Sequence, residues 1–319
     1  MRHVCRSELA VALTAGGPRS RYAPWRPPTL PTFVRASVAL LSLGVVLLRA
    51  GPASAQLIAA KSGPVVYGHH HVNATSIAAH RKFFVDALGG EPVTIAGREI
   101  VKFPNVLIFL REQAPTGGSI GTTADHLGLS VPDLRPVIAR LKAGGYRMIT
   151  RDSVPPEWPV VDDVTSNPVG AGRSIAYVMG PDDLKVELVQ IPDQDAPVAL
   201  QHVHFFSPQR AEMRDWYVKV FGASAVAPAA DARFLTATLP GVSLNFTESR
   251  APVVGTKGRV VDHVGFEVDN LPAVLKKLEA MGITAENVRQ VPDLAISIAF
   301  ITDPWGTYVE LTEGLDAIR

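Results

Sequence analysis

Ser297–Leu311 reads SIAFITDPWGTYVEL, and Ser174–Leu188 reads SIAYVMGPDDLKVEL. At a constant offset of 123 the two share Ser-Ile-Ala, an aromatic residue, an apolar residue, a proline and a closing Val-Glu-Leu, so Glu187 falls on Glu310. Alternating apolar residues on both sides of a proline-containing turn describe a β-hairpin with one buried face. In KVELV and YVELT the glutamate points opposite to its flanking Val and Leu. If those meet a helix-covered core, the carboxylate lies on the other face of the sheet, and chemistry is expected there.

The repeat extends outward from these hairpins. A first unit, about Pro64 to Gln113, opens with VVYGHHHVNA. It continues into a helix with Ile77, Phe83, Phe84, Ala87 and Leu88 on one stripe, which Gly89-Gly90 stops. A second opens with ADHLGLSV, carries a helix over Leu134–Ala143 ended by Gly144-Gly145, and closes on Glu187. After the polar linker Pro192–Pro197, QHVHFF…WYVKVFGA repeats the first unit at an offset of 133. VDHVGFEV then repeats the opening of the second unit at an offset of 137, with a helix over Leu271–Ala280 and Glu310 at its end. The order βαβββ occurs four times. This predicts an α+β fold of four modules paired into two curved-sheet cups: one domain over 64–191, a linker over 192–198 and a second domain over 199–314.

The first 55 residues read differently. A basic residue, Arg35, precedes the apolar run Leu40–Leu48, and Ala53-Ser54-Ala55 follows. This is the pattern of a signal peptide cut before Gln56, with a run too short to span a bilayer. The expected location is the periplasm or the exterior, with no membrane association after cleavage. Without residues 1–55 the chain keeps 24 of its 31 basic and 29 of its 30 acidic residues, a net charge near −5, which excludes nucleic acid as an expected partner. Cys5, the one cysteine, leaves with the leader, so no disulfide, thiolate metal site or cysteine nucleophile remains.

Seven of the eight remaining histidines sit in the opening strands: His69, His70, His71, His126, His202, His204 and His263. His80 is expected on the exposed side of the first helix. A lone strand histidine is more often a satisfied core residue than a ligand, but four modules with the same placement shift those odds. If consecutive modules pair, each half offers two imidazoles and a carboxylate: His69, His126 and Glu187 in the first, His202, His263 and Glu310 in the second. Such sets hold a divalent metal with positions left open.

The motifs DHLGLSV, DHVGFEV, FFVDALGG, WYVKVFGA, GPDDLKVEL and DPWGTYVEL together resemble the vicinal oxygen chelate superfamily, which includes glyoxalase I, bleomycin-resistance proteins and extradiol dioxygenases. The resemblance implies a metal cup with ligands on opening and closing strands, a divalent cofactor (Fe, Mn, Zn or Ni) and a small oxygen-rich substrate. It implies either an enzyme (dioxygenase, lyase or isomerase) or a small-molecule-binding protein, with oligomerisation left open. Where glyoxalase I draws a further carboxylate ligand, this chain has Phe109 and Asn245, which disfavours glyoxalase-type chemistry. Tyr177, ten residues before Glu187, matches a tyrosine of the extradiol enzymes as a catalytic residue, and Phe300 replaces it before Glu310. The segment from Gly145 to Ser174 is also 14 residues longer than its counterpart from Gly282 to Ser297. The extra residues form a variable surface loop or a substrate lid around Trp158. The first half, with Tyr177 and this loop, is the expected active half.

Overall fold

A computed structural model describes residues 62–166, 172–229 and 232–315. The expected leader and cleavage site lie outside the described residues. Among those described, no helix is long and apolar enough to cross a membrane.

The four modules are present in the expected order. The first comprises β1 (Val65–Ala74), helix α1 (Ile77–Arg81, running on through Lys82–Ala87), β2 (Glu91–Ile95), β3 (Arg98–Phe103) and β4 (Val106–Glu112). The second comprises β5 (Ala124–Val131), α2 (Leu134–Ala143), β6 (Arg147–Met148), the short α3 (Thr150–Ser153), β7 (Thr165–Ser166), β8 (Ser174–Met179) and β9 (Lys185–Gln190). In the third are β10 (Ala199–Ser207), α4 (Arg210–Phe221), β11 (Ser224–Val226), β12 (Phe234–Leu239) and β13 (Val242–Glu248). The fourth holds β14 (Val261–Val268), α5 (Leu271–Ala280), β15 (Glu286–Val291), β16 (Ile296–Thr302) and β17 (Tyr308–Glu313).

Local sequence sets these boundaries. Ser76, Asp133 and Asn270 cap α1, α2 and α5 by accepting backbone N–H bonds from Ala79, Arg135 and Ala273. Each such cap stabilises its helix by about 1 kcal/mol. Gly222, at φ 73°, ends α4 in the left-handed conformation that a residue with a Cβ resists. The helices cover one face of the sheets, where Phe205, Tyr217, Phe221, Phe246 and Phe266 are fully buried with Val186, Leu188, Val309 and Leu311. As the Val-Glu-Leu alternation requires, Glu187 and Glu310 face the opposite side.

Module pairing differs from the expectation. One eight-stranded sheet runs β15-β16-β17-β14-β1-β4-β3-β2, joining the first module to the fourth. A nine-stranded sheet runs β11-β12-β13-β10-β5-β9-β8-β6, joining the second to the third. Residues 64–191 and 199–314 therefore do not each close a cup, and the segment 192–198 connects two modules of one sheet. The reason is geometric. Every module offers the same unpaired edge on its opening strand, so the residue pattern demands a partner without naming it. The crossovers at 113–123 and 249–260 carry the chain between sheets and bond to each other: Thr123 N donates to Val254 O (2.9 Å), Val254 N to Gly121 O (3.0 Å) and Val260 N to Gly117 O (3.0 Å).

His80 also departs from the expectation, for it is fully buried and bonds through Nε2 to Asp182 Oδ2 at 2.9 Å. That carboxylate also accepts from Thr75 N at 2.8 Å, tying the first module to the turn between β8 and β9. Burial holds the imidazole below its ordinary 6.5 despite the Asp182 bond. The unfolded chain thus binds this proton more readily, and stability is expected to fall as pH drops below about 6.5. Melting curves of metal-free protein between pH 7.5 and 5 check this: His80→Gln is expected to show a lower melting temperature at pH 7.5 and a shallower acid slope than the wild type.

Candidate metal centres

The two sheets each gather a buried donor cluster in the concavity: His69, His71, His263 and Glu310 in one, His126, His202, His204 and Glu187 in the other. In each, one ligand atom per residue lies within 4.8 Å of all the others. All six histidine and glutamate positions expected as ligands are thus drawn into clusters, but regrouped. His69 stands with His263 and Glu310, while Glu187 stands with His126 and His202. The sets His69–His126–Glu187 and His202–His263–Glu310 do not form, because their members belong to different sheets.

Pairing of the opening strands builds both clusters. β1 runs antiparallel to β14 with His69 opposite Gly265, and β10 runs antiparallel to β5 with His202 opposite Gly128. Each imidazole lies flat over its glycine. A Cβ on Gly265 would stand 2.1 Å from His69 Cε1, and one on Gly128 2.1 Å from His202 Cε1. The glycines therefore make room for the rings. In the parallel pairs β14–β17 and β5–β9, the same glycines sit beside Glu310 and Glu187.

In the Glu310 cup, His263 Nε2 lies 2.8 Å and His69 Nε2 3.2 Å from Glu310 Oε2, with His71 Nε2 at 4.0 Å. His263 Nδ1 donates to Asp262 Oδ1 at 2.7 Å, which fixes the ring. Burial raises the Glu310 carboxyl, but His69 and His263 outweigh it and hold the group well below the usual range. Burial and the neighbouring His263 hold the His71 imidazole well below its ordinary range. Burial opposes a charge on His263, yet Asp262 and Glu310 outweigh it and raise its pKa.

The Glu187 cup repeats this frame with different walls. His126 Nε2 lies 3.0 Å from Glu187 Oε2 and its Nδ1 2.7 Å from Asp125 Oδ1. His202 Nε2 stands 3.3 Å from the same Glu187 oxygen without a hydrogen bond to it. Tyr177 is the cross-strand partner of Glu187 and donates its hydroxyl to Oε2 at 2.9 Å. Burial and Glu187 raise the phenol well above its ordinary value. Lys185 Nζ bonds Asp125 Oδ1 at 2.9 Å. Trp158 from the long insertion packs beside Tyr177, Ile175 and Val189, with the Arg233 guanidinium 5.0 Å from its ring centre. The insertion therefore covers the Glu187 cup and does not face His69.

Both clusters fit a divalent cation. Three imidazoles converging on one carboxylate present more lone pairs than protons, and the nitrogen and oxygen donors include no sulfur. The Glu310 cluster also borders a cavity of about 300 Å³ walled by Phe109, Phe300, Ile298 and Leu294. His71 and His204 were not singled out as ligands from the sequence. The signal was present: in HHH and HVH, residues two apart share a face. His70, between them, turns to the core and meets the Tyr67 hydroxyl at 2.7 Å.

Gly265→Ala is expected to push the His69 ring off Glu310 and to lower Co²⁺ affinity at that cup by about tenfold or more. Cobalt absorption titration reads this, with the Glu187 cup serving as the unaffected internal reference.

The family model described as Glyoxalase/Bleomycin resistance protein/Dioxygenase superfamily matches residues 199–311. A probable trivalent organoarsenical cleaving enzyme of Bacillus subtilis is 45% identical over 98 residues, a match spanning 29% of this chain and 64% of that protein's length. Glyoxalase I of Zea mays superposes with a TM-score of 0.60 at 17% identity, over 81% of this chain and 95% of that one. A putative dioxygenase of Bacillus subtilis gives a TM-score of 0.57 at 13% identity, over 78% of this chain and 85% of the other. Residues 199–311 thus match the glyoxalase, bleomycin-resistance and dioxygenase superfamily, and the four βαβββ modules in two curved sheets share the fold of glyoxalase I.

Proposed function

We propose that this chain is an exported, divalent-metal-dependent enzyme that cleaves a bond in a small oxygen-rich molecule, as a dioxygenase or lyase, in the Glu310 cup. The observation that carries this reading is the meeting of the His69, His71, His263 and Glu310 donors with the apolar cavity. Tyr177 and the Trp158 loop belong to the other cup, which moves the preferred site away from the first half of the sequence.

His69, His263 and Glu310 would hold the metal, with His71 in reach. When bound, it would supply Lewis acidity toward adjacent oxygen substituents of the substrate. By accepting from Nδ1, Asp262 would orient the ring so that Nε2, on giving up its own proton, could ligate the metal. Phe109 stacks on His71 at 4.7 Å and Phe300 meets His263 edge-on at 5.3 Å, which gives the donors an aromatic wall. An isomerase step needs a proton acceptor beside the substrate, and Phe109 offers none at the position where a second carboxylate would stand. The relative from Bacillus subtilis points to cleavage of a trivalent organoarsenical as one form of such chemistry. Trivalent arsenic prefers thiolates, however, and no cysteine occurs between residues 6 and 319. An oxygen-bearing carbon compound suits the imidazole and carboxylate donors better.

Elemental analysis of the protein, loaded with Fe²⁺ or Mn²⁺ and desalted, tests the reading. Two equivalents are expected for the wild type and one for either Glu310→Gln or Glu187→Gln. Anaerobic titration with catechol should show binding lost only in Glu310→Gln. Metal-free wild type under all loading conditions would sink the proposal and favour a sequestering protein.

A further inference from the structure

The cavity above the Glu310 cup is strongly one-sided in charge. Its lining includes three arginines, Arg98, Arg111 and Arg289, and a single acidic residue, Glu310, whose carboxylate meets the histidines. Two of the arginines are held by the protein. Arg98 Nη1 donates to Asp293 Oδ2 at 2.6 Å. Arg111 donates twice to Asn73 Oδ1, at 2.9 and 2.6 Å, and stands 3.3 Å from Asp262 Oδ2. Arg289 differs: it donates to the Asn287 carbonyl at 3.3 Å and lies 5.9 Å from the Phe300 ring centre, and among the described residues it forms no ion pair.

Arg111 and Arg289 also line an adjoining cavity of about 460 Å³, so both residues border the two spaces, together with His263 and Phe300. The walls between these charges and the donors are flat and apolar. Phe109 lies parallel to His71, with 3° between the planes, and Phe300 parallel to Tyr308, with 15°. A planar apolar body with one anionic end complements such a slot, because a guanidinium fork pairs two oxygens of a carboxylate while the ring lies on aromatic faces. The Glu187 cup lacks this device: Thr247 holds the register position of Arg111 and spends its hydroxyl on His204 Nε2 at 2.8 Å.

We infer that the Glu310 cup selects a small aromatic carboxylate, with Arg289, supported by Arg111, as the specificity-determining residue that takes the carboxylate. The inference rests on the reading of this cup as the metal centre and names its substrate class. The unpartnered charge on Arg289 discriminates by attraction: an anion gains a charge-assisted pair that a neutral molecule of the same shape cannot form.

The test compares 3,4-dihydroxybenzoate with 4-methylcatechol, which shares the adjacent hydroxyls and lacks the charge. Calorimetric titration is made under anaerobic conditions into the cobalt-loaded full chain. The acid is expected to bind about tenfold or more tightly than the neutral catechol. Arg289→Met should erase that difference while leaving 4-methylcatechol affinity and cobalt content at wild-type values. Equal affinities in the wild type, or a preference for the acid that survives Arg289→Met, would overturn the inference. Failure of the metal reading would show separately, as 4-methylcatechol affinity indifferent to added cobalt, while discrimination by Arg289 persists.

Discussion

Antiparallel pairing of two opening strands, one from each partner module, is the constraint on which this structure depends. An isolated βαβββ module leaves one edge of its first strand without hydrogen-bond partners, and a buried edge of that kind is costly. Joining β1 to β14 and β10 to β5 satisfies it, and the same registers set His69 over Gly265 and His202 over Gly128. The bonds that close the sheets thereby also assemble the donors. A side chain at either glycine would cost packing energy of about 1–3 kcal/mol and would displace a ring in the same stroke. Stability and site geometry are therefore coupled at those two positions.

Much of this was legible in the residues. The offsets of 123, 133 and 137 are long-range evidence for repeated modules, and the Val-Glu-Leu alternation fixed the side on which Glu187 and Glu310 emerge. The pairing of modules was not legible. Like edges are interchangeable at the level of hydrophobic pattern, and the choice falls to crossovers such as 113–123 and 249–260, whose mutual hydrogen bonds carry no side-chain signature. His80 was misread for a related reason. Its buried ring is satisfied by Asp182, 102 residues away, and no helical periodicity reports a partner supplied by another module. His71 and His204 were readable from strand alternation, yet their place beside a glutamate depended on the pairing.

The family match over residues 199–311 covers the third and fourth modules, and those two lie in different sheets. A sequence unit and a site unit are thus distinct here. Each cup draws its histidines from one module of the first half and one of the second, so neither half of the chain can evolve a site alone. The duplicated cups nevertheless diverge wherever the shared frame leaves freedom. Where one places Phe109, Phe300 and Tyr308, the other places Asn245, Tyr177 and Lys185.

These substitutions change what each concavity can do. In the Glu187 cup, Tyr177 occupies an oxygen of the carboxylate, Lys185 neutralises Asp125 and Trp158 fills the wall, so polar groups are satisfied internally. Around Glu310 Phe300 takes the place of Tyr177 and Tyr308 that of Lys185, neither of them bonded to the carboxylate, and the space above is a cavity. A donor set beside an apolar cavity acts on a bound molecule in a low-dielectric setting, where electrostatic differences between ligands are magnified. The asymmetry between the cups, more than the donors they share, is what favours the joint of the first and fourth modules as the place of the proposed chemistry.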